Sequence, residues 1–148
     1  MFKTKNKYNI AIVGATGIVG ESLLDILYSR KFPVEKIVPL ASKKSAGTEI
    51  KFGNKLIEVI ALDDYDFRDI DIAFFSAGSN ISKIHAPIAA KSGAIVIDNT
   101  SEFRYVDNIP LVVPEVNSSE IENYKKCNII ANPNCSTIQM LVALKPVH

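Results

Sequence analysis

Apolar positions along this chain fall mostly in short continuous runs rather than in alternation. Tyr8-Asn9-Ile10-Ala11-Ile12-Val13, Lys36-Ile37-Val38-Pro39-Leu40-Ala41, Ile72-Ala73-Phe74-Phe75, Ala94-Ile95-Val96-Ile97-Asp98 and Asn128-Ile129-Ile130-Ala131 read as strands buried on both faces. Between them the period changes. Ile18, Val19, Leu23, Leu24, Ile26 and Leu27 supply the apolar side of a helix ending near Arg30-Lys31. Ile84, Ile88 and Ala89 mark a second helix running to Ser92-Gly93, with Pro87 either kinking it or marking a late start. Ile138, Leu141, Val142 and Leu144 mark another, which Pro146 stops. A short polar helix over Ser118–Lys126 follows the segment Leu111–Asn117. Only residues 48–62 alternate, across Ile50-Lys51-Phe52 and Leu56-Ile57-Glu58-Val59-Ile60 with Gly53-Asn54 between them. They predict a hairpin or strand pair at the sheet's edge. Strands alternating with helices predict an α/β fold whose sheet is mostly parallel and covered by helices on both faces.

The first strand runs straight into Gly14-Ala15-Thr16-Gly17-Ile18-Val19-Gly20 and then into a helix. That order makes the glycines a phosphate cradle. Gly14 permits the tight turn, Gly17 lets backbone approach a pyrophosphate, and Gly20 lets helix and strand pack closely. The fold expected is therefore Rossmann-like and doubly wound. In NAD-binding members an acidic residue near the end of the second strand takes the ribose 2′-hydroxyl. Here that end reads Ser42-Lys43-Lys44-Ser45-Ala46-Gly47, and its two lysines and two hydroxyls suit a 2′-phosphate. NADP is expected over NAD. A second small-residue turn, Ser76-Ala77-Gly78-Ser79-Asn80, is expected beside the cofactor, because ligands gather at strand carboxyl ends.

Asn132-Pro133-Asn134-Cys135-Ser136-Thr137 joins the last strand to the last helix. Asn134 or Ser136 can cap that helix, which puts Cys135 at its N-terminus. Unpaired N–H groups and the positive end of the helix dipole favour an anion there, and a thiolate is such an anion. The plain alternative is a small, inert core residue. Cys127 opens a strand and is expected to be buried and inert.

Composition narrows the possibilities further. The 148 residues make one ordinary domain. No run approaches the roughly 20 apolar residues of a membrane span. The start, Met1 to Lys7, is basic but lacks the apolar stretch and cleavage site of a signal peptide. Cytoplasm is the expected location. A net charge of +1 without a basic stripe leaves no electrostatic footprint for nucleic acid. Asp63, Asp64, Asp66, Asp69 and Asp71 have no calcium-loop spacing and read as a solvated acidic loop, and the two cysteines have no metal or redox spacing, so no metal is expected. His85 reads as structural.

The ordered set Gly14-Ala-Thr-Gly-Ile-Val-Gly20, Ser42-Lys-Lys-Ser-Ala-Gly47, Asp98-Asn-Thr-Ser-Glu-Phe-Arg104, Val113-Pro-Glu-Val-Asn117 and Asn132-Pro-Asn-Cys-Ser-Thr137 resembles the aspartate-semialdehyde dehydrogenases. The resemblance implies reversible conversion of L-aspartate 4-semialdehyde, phosphate and NADP⁺ to aspartyl 4-phosphate and NADPH. That reaction feeds lysine, diaminopimelate, threonine and methionine synthesis. It implies that Cys135 is the nucleophile, that Arg104 holds phosphate, and that Asn134 is an active-site polar group. The cofactor contacts expected are Gly14, Ala15, Thr16, Gly17, Ile18, Val19, Ser42, Lys43, Lys44, Ser45, Ala46, Ser76, Ala77, Gly78 and Asn99. There are departures. Lys44 stands where the family often has arginine, and Glu102 stands where many members have a small residue, next to the phosphate arginine. The family's second domain carries the base histidine, a glutamine, a carboxylate-binding arginine and most of a homodimer interface. Residues 1–148 then correspond to the dinucleotide-binding domain, ending just past the cysteine, and are expected to be inactive alone. Two other readings are N-acetyl-γ-glutamyl-phosphate reductase, which shares the fold and chemistry, and a non-catalytic NADP-binding remnant of a split gene.

Overall fold

The computed structural model describes residues 5–148; Met1 to Thr4, on which the signal-peptide expectation partly rests, lie outside the described residues. β1 (Tyr8–Val13) leads through the glycine turn into α1 (Ile18–Ser29), and β2 (Val34–Ala41) follows. β3 (Glu49–Phe52), β4 (Lys55–Glu58) and the two-residue β5 (Ile60–Ala61) come next, then β6 (Ile72–Phe75), α2 (Ser79–Lys91) and β7 (Ile95–Asp98). A single-turn α3 (Pro114–Asn117) and a 3₁₀ segment over Ser118–Lys126 lead to β8 (Ile129–Ala131) and α4 (Cys135–Leu144). Six strands form one sheet in the order β5-β2-β1-β6-β7-β8, every neighbouring pair parallel. The winding direction reverses between β1 and β6, and sheets of this kind bind dinucleotides in the crevice above such a point.

Successive residues of a strand point to opposite faces, so β1 feeds two core layers. Ala11 and Val13 join Phe75, Val96 and the small α2 residues Ala86, Ala89 and Ala90 on one face. Ile10 and Ile12 join Leu24, Leu27 and Ile37 on the other. Burial of Leu24 and Leu27 stabilises the α1 packing by about 1.5–3 kcal/mol each. Pro39 is tolerated inside β2 for a local reason. The Leu40 carbonyl receives the Gly14 N–H, so the Pro39 backbone faces the opposite side, where β5 pairs only with Leu40 and Ala41.

Four expectations need correction. Residues 48–58 do form a hairpin, but β3 and β4 make a separate two-stranded antiparallel sheet, and only β5 lies at the edge of the main one. Ile50, Phe52 and Ile57 leave the edge because they cover the α1 layer. The apolar side of α1 also splits. Gly20, Leu24 and Leu27 are buried, whereas Ile18, Val19 and Ile26 are exposed. The buried three share one face at helical spacing, while Ile18 and Val19 sit in the first turn at the crevice end. Pro87 lies inside α2, which starts at Ser79, so the late start is excluded. Last, no residue of α4 is buried. Helices flank both faces of the sheet, yet cover them unevenly. Over β7 and β8 a cleft of about 610 Å³ stays open, lined by Ile26, Ile97, Val113, Ile121, Ile130 and Ile138.

Candidate active site and cofactor cleft

The glycine turn is shaped by two contacts. Gly14 has φ +89°, a left-handed conformation that a side chain rarely adopts, and a Cβ there would lie 3.0 Å from the Ala77 nitrogen of the facing turn. At Gly20 a Cβ would lie 2.3 Å from the Gly14 carbonyl oxygen and 2.6 Å from Ala15 Cα. The helix therefore sits directly on the turn. Gly17 is the N-cap of α1 and supplies no side-chain cap, which leaves the first turn to an incoming anion.

Above the switch point lies a cleft of about 390 Å³, lined among others by Gly14, Thr16, Gly17, Ser42, Ser76 and Ala77. Its floor is backbone and small residues, the surface a pyrophosphate needs for close approach. The residues present thus fit a dinucleotide. Ala15 is buried beneath the floor. Ile18 and Val19 are exposed at the start of α1. Lys43, Lys44, Ser45 and Ala46 form the turn after β2, where the Ser42 carbonyl accepts from Ser45 and Ala46 N–H groups at 2.9 and 3.1 Å. Gly78, with φ 96°, is the N-cap of α2.

The cysteine lies at the carboxyl end of β8. Asn134 Oδ1 accepts from the Ser136 N–H at 2.9 Å, so Asn134 is the cap and Cys135 the first residue of α4, with its side chain exposed. Arg104 is half-buried and fixed to the same region. Its Nε donates to the Asn132 carbonyl at 3.0 Å and its Nη2 to the Asn99 carbonyl at 3.1 Å. Asn132 Nδ2 donates in turn to Asn99 Oδ1 at 2.6 Å. Two carboxyl-end loops, after β7 and after β8, are thereby tied around one guanidinium. Among the described residues two of its five N–H donors are used on carbonyls, which leaves three that can bind an anion. Glu102 stays apart from this guanidinium: among the described residues no ion pair joins it to Arg104.

Asp98 holds this loop from below. It is fully buried at the end of β7 and accepts from the Ser82 and Thr100 hydroxyls, both at 2.7 Å. Thr100 Oγ1 accepts from the Glu102 N–H at 3.3 Å, which extends the support toward Arg104.

Other expected residues fall elsewhere. Asn99 is not among the residues lining the cleft; its side chain is taken up by Asn132. Cys127 is half-buried rather than buried, and it precedes β8 instead of opening it. The strand cannot reach it because Asn128 sits at φ 57°, outside strand geometry. His85 lies half-buried on α2. The acidic stretch disperses. Asp71 meets Lys5 and the Asn9 N–H, and hydrogen bonds from Arg68 hold the Asp66 carboxyl below its usual range. Among the described residues no three His, Cys, Asp or Glu side chains gather to hold a metal, and no helix is long and apolar enough to cross a membrane. Two residues escaped the sequence reading. Asn132 stood in the cysteine motif without a role, and Asp63, placed with the acidic loop, lines the cofactor cleft.

Comparison with known proteins supplies independent findings. Residues 9–124 match the family described as semialdehyde dehydrogenase, NAD binding domain. The aspartate-semialdehyde dehydrogenase of Shewanella sp. (strain DB6705) is 53% identical over 142 residues, covering 96% of this chain and 42% of that protein. The crystal structure of aspartate semialdehyde dehydrogenase II from Vibrio cholerae, complexed with ASA, superposes with a TM-score of 0.92 at 54% identity, over 95% of this chain and 46% of that one. The enzyme from Candida albicans, solved with NADP, gives a TM-score of 0.78 at 26% identity, again over 95% of this chain and 46% of that one. The chain spans less than half the length of these relatives.

Proposed function

The chain belongs to the semialdehyde dehydrogenase family through its NAD-binding domain, and from that premise we propose that residues 1–148 are the NADP-binding, cysteine-bearing part of an aspartate-semialdehyde dehydrogenase. The observation that carries this reading is the knot of Arg104, Asn132 and Asn99, which ties an anion-binding guanidinium to the strand end that delivers Cys135. A nucleophile three residues beyond the carbonyl that anchors an arginine suits acyl transfer to phosphate, because the planar fork of arginine matches phosphate oxygens in a way lysine does not.

The chemistry follows from those groups. The Cys135 thiolate attacks the aldehyde carbon, a C–S bond forms, and the carbonyl oxygen becomes the oxyanion of a thiohemiacetal. NADP⁺, when bound, supplies the hydride acceptor that turns this adduct into a thioester. Phosphate held by Arg104 attacks the thioester carbon and expels the thiolate, giving aspartyl 4-phosphate. Asn134 fixes the start of α4 through its cap and so positions the thiol. Gly14, Thr16 and Gly17 receive the pyrophosphate, while Ser42, Lys43, Lys44 and Ser45 take the 2′-phosphate. The relative solved with NADP supports that choice of cofactor. Family likeness adds a second domain for substrate and dimerisation, a homodimer, and a cytoplasmic location.

The test is phosphate-dependent NADPH formation from L-aspartate 4-semialdehyde by the protein as it occurs in the cell. Cys135→Ser should abolish it. Turnover that survives this change, or a preference for N-acetyl-L-glutamate 5-semialdehyde, sinks the reading.

A further inference from the structure

The two lysines after β2 are not equivalent. Lys43 Nζ lies 3.2 Å from Asp63 Oδ2, whereas among the described residues Lys44 makes no ion pair. Asp63 is also one of the residues lining the cofactor cleft, in company with Ser42 and Gly14. Its place there is built. The Leu62 N–H donates to the Ala41 carbonyl at 2.9 Å, which pins the residue before Asp63 to the residue before Ser42. The end of β2 therefore carries an acid after all. It comes from the end of the neighbouring edge strand β5, not from β2 itself.

Resting on the NADP reading above, we propose that Asp63 is a specificity-determining residue that moderates the preference for a 2′-phosphate over a 2′-hydroxyl. Its carboxylate acts in two ways. It holds the Lys43 ammonium, which a 2′-phosphate must recruit, and it places a negative charge beside an incoming dianion. Both effects weigh on the phosphorylated dinucleotide more than on the other, because the pyrophosphate is common to the two and the 2′-phosphate is not. A ribose with a free 2′-hydroxyl carries no charge to repel and has no need of Lys43.

The experiment titrates wild type, Asp63→Asn and Lys43→Ala with NADP⁺ and with NAD⁺, at low salt and at high salt. Asp63 and Lys43 are exposed side chains, so thermal unfolding should be unchanged and confirms that each variant is folded. Asp63→Asn should tighten NADP⁺ roughly two- to fivefold, the range of an exposed ion pair, and shift NAD⁺ by less than about twofold. High salt should shrink the NADP⁺ gain, since screening weakens exposed charges. In a Lys43→Ala background the gain should be smaller. Equal weakening of both dinucleotides by Asp63→Asn overturns the proposal, because the carboxylate would then serve a part common to both, such as the adenine amino group. An unchanged NADP⁺-to-NAD⁺ ratio overturns it as well. The wild-type ratio reports separately: NAD⁺ binding as tight as NADP⁺ refutes the cofactor reading, whereas the response of that ratio to Asp63→Asn decides the role of Asp63.

Discussion

Gly17 and Gly20 sit one turn apart, and the structure gives them opposite tasks. Alanine at Gly20 would put its Cβ 2.3 Å from the Gly14 oxygen, about an ångström inside ordinary contact, with Ala15 Cα at 2.6 Å. Both neighbours are backbone, so no rotamer change relieves the overlap. Overpacking of this kind costs typically about 1–3 kcal/mol, and immovable neighbours place it at the upper end. Alanine's better helix propensity returns about 1 kcal/mol. The net is a loss of about 2 kcal/mol, which for a domain of this size lowers Tm by roughly 5–8 °C. Gly17→Ala differs. Its Cβ would meet only the Gly14 oxygen, at 3.4 Å, and Gly17 has φ −94°, which any residue adopts. A weaker cap costs about 0.5–1 kcal/mol, and the stiffer unfolded chain returns about 0.4–1 kcal/mol. Stability should hardly move, but the added methyl stands on the surface where a pyrophosphate would lie. Thermal unfolding and NADP⁺ titration of both variants separate the two tasks. Gly20→Ala should unfold early, and Gly17→Ala should keep its Tm while binding NADP⁺ at least about tenfold more weakly. A Gly20→Ala protein at least as stable as wild type refutes the packing argument, and a Gly17→Ala protein with unchanged NADP⁺ affinity refutes the cradle.

Alkylation near neutral pH with peptide mapping should label exposed Cys135 before half-buried Cys127; the reverse order contradicts the nucleophile assignment. Asp98→Ala removes the acceptor for two buried hydroxyls and should destabilise the domain by about 2–4 kcal/mol, and a Tm within about 2 °C of wild type counts against this support of the Arg104 loop. Replacing Lys43 and Lys44 together by alanine should weaken NADP⁺ far more than NAD⁺, and a parallel loss of both would mean the lysines serve something other than the 2′-phosphate. Residues 1–148 alone should bind NADP⁺ without steady-state turnover. Among the described residues no side chain hydrogen-bonds the Cys135 thiol to act as base, and such assistance is worth about 10²–10⁴-fold; robust NADPH formation by this chain alone would show that assistance to be unnecessary.

The parallel sheet was legible because its strands are apolar runs: Ile10-Ala11-Ile12-Val13 is buried on both faces, and Ile72-Ala73-Phe74-Phe75 keeps the same composition although Ile72 and Phe74 are only half-buried. The glycine turn was legible for a similar reason, since Gly14 and Gly20 answer steric demands that a residue with a side chain does not meet. Helix faces were harder to read. Ile18, Val19 and Ile26 have the same chemistry as Leu24 and Leu27, and the placement of the sheet and hairpin against the helix decides which of them is covered. Periodicity records that a helix has an apolar side, not how wide a surface waits to receive it.

The site shows the same division between local and non-local information. Asn134 as a cap is a contact across two residues, and its chemistry can be read from the motif itself. Arg104 looks like any surface arginine until the parallel pairing of β7 with β8 sets Asp98 opposite Ala131, so that the loops leaving both strands start side by side. The Arg104–Asn132 bond spans 28 residues and the Asn132–Asn99 bond 33, distances over which no local spacing rule operates. Asp63 is the sharpest case. The absence of an acid from the end of β2 is a true statement about the sequence, yet the parallel pairing of β2 with β5 brings an acid there from further along the chain. Charge at a binding site is a property of the sheet's strand order, and a reading confined to one strand end counts only half of it.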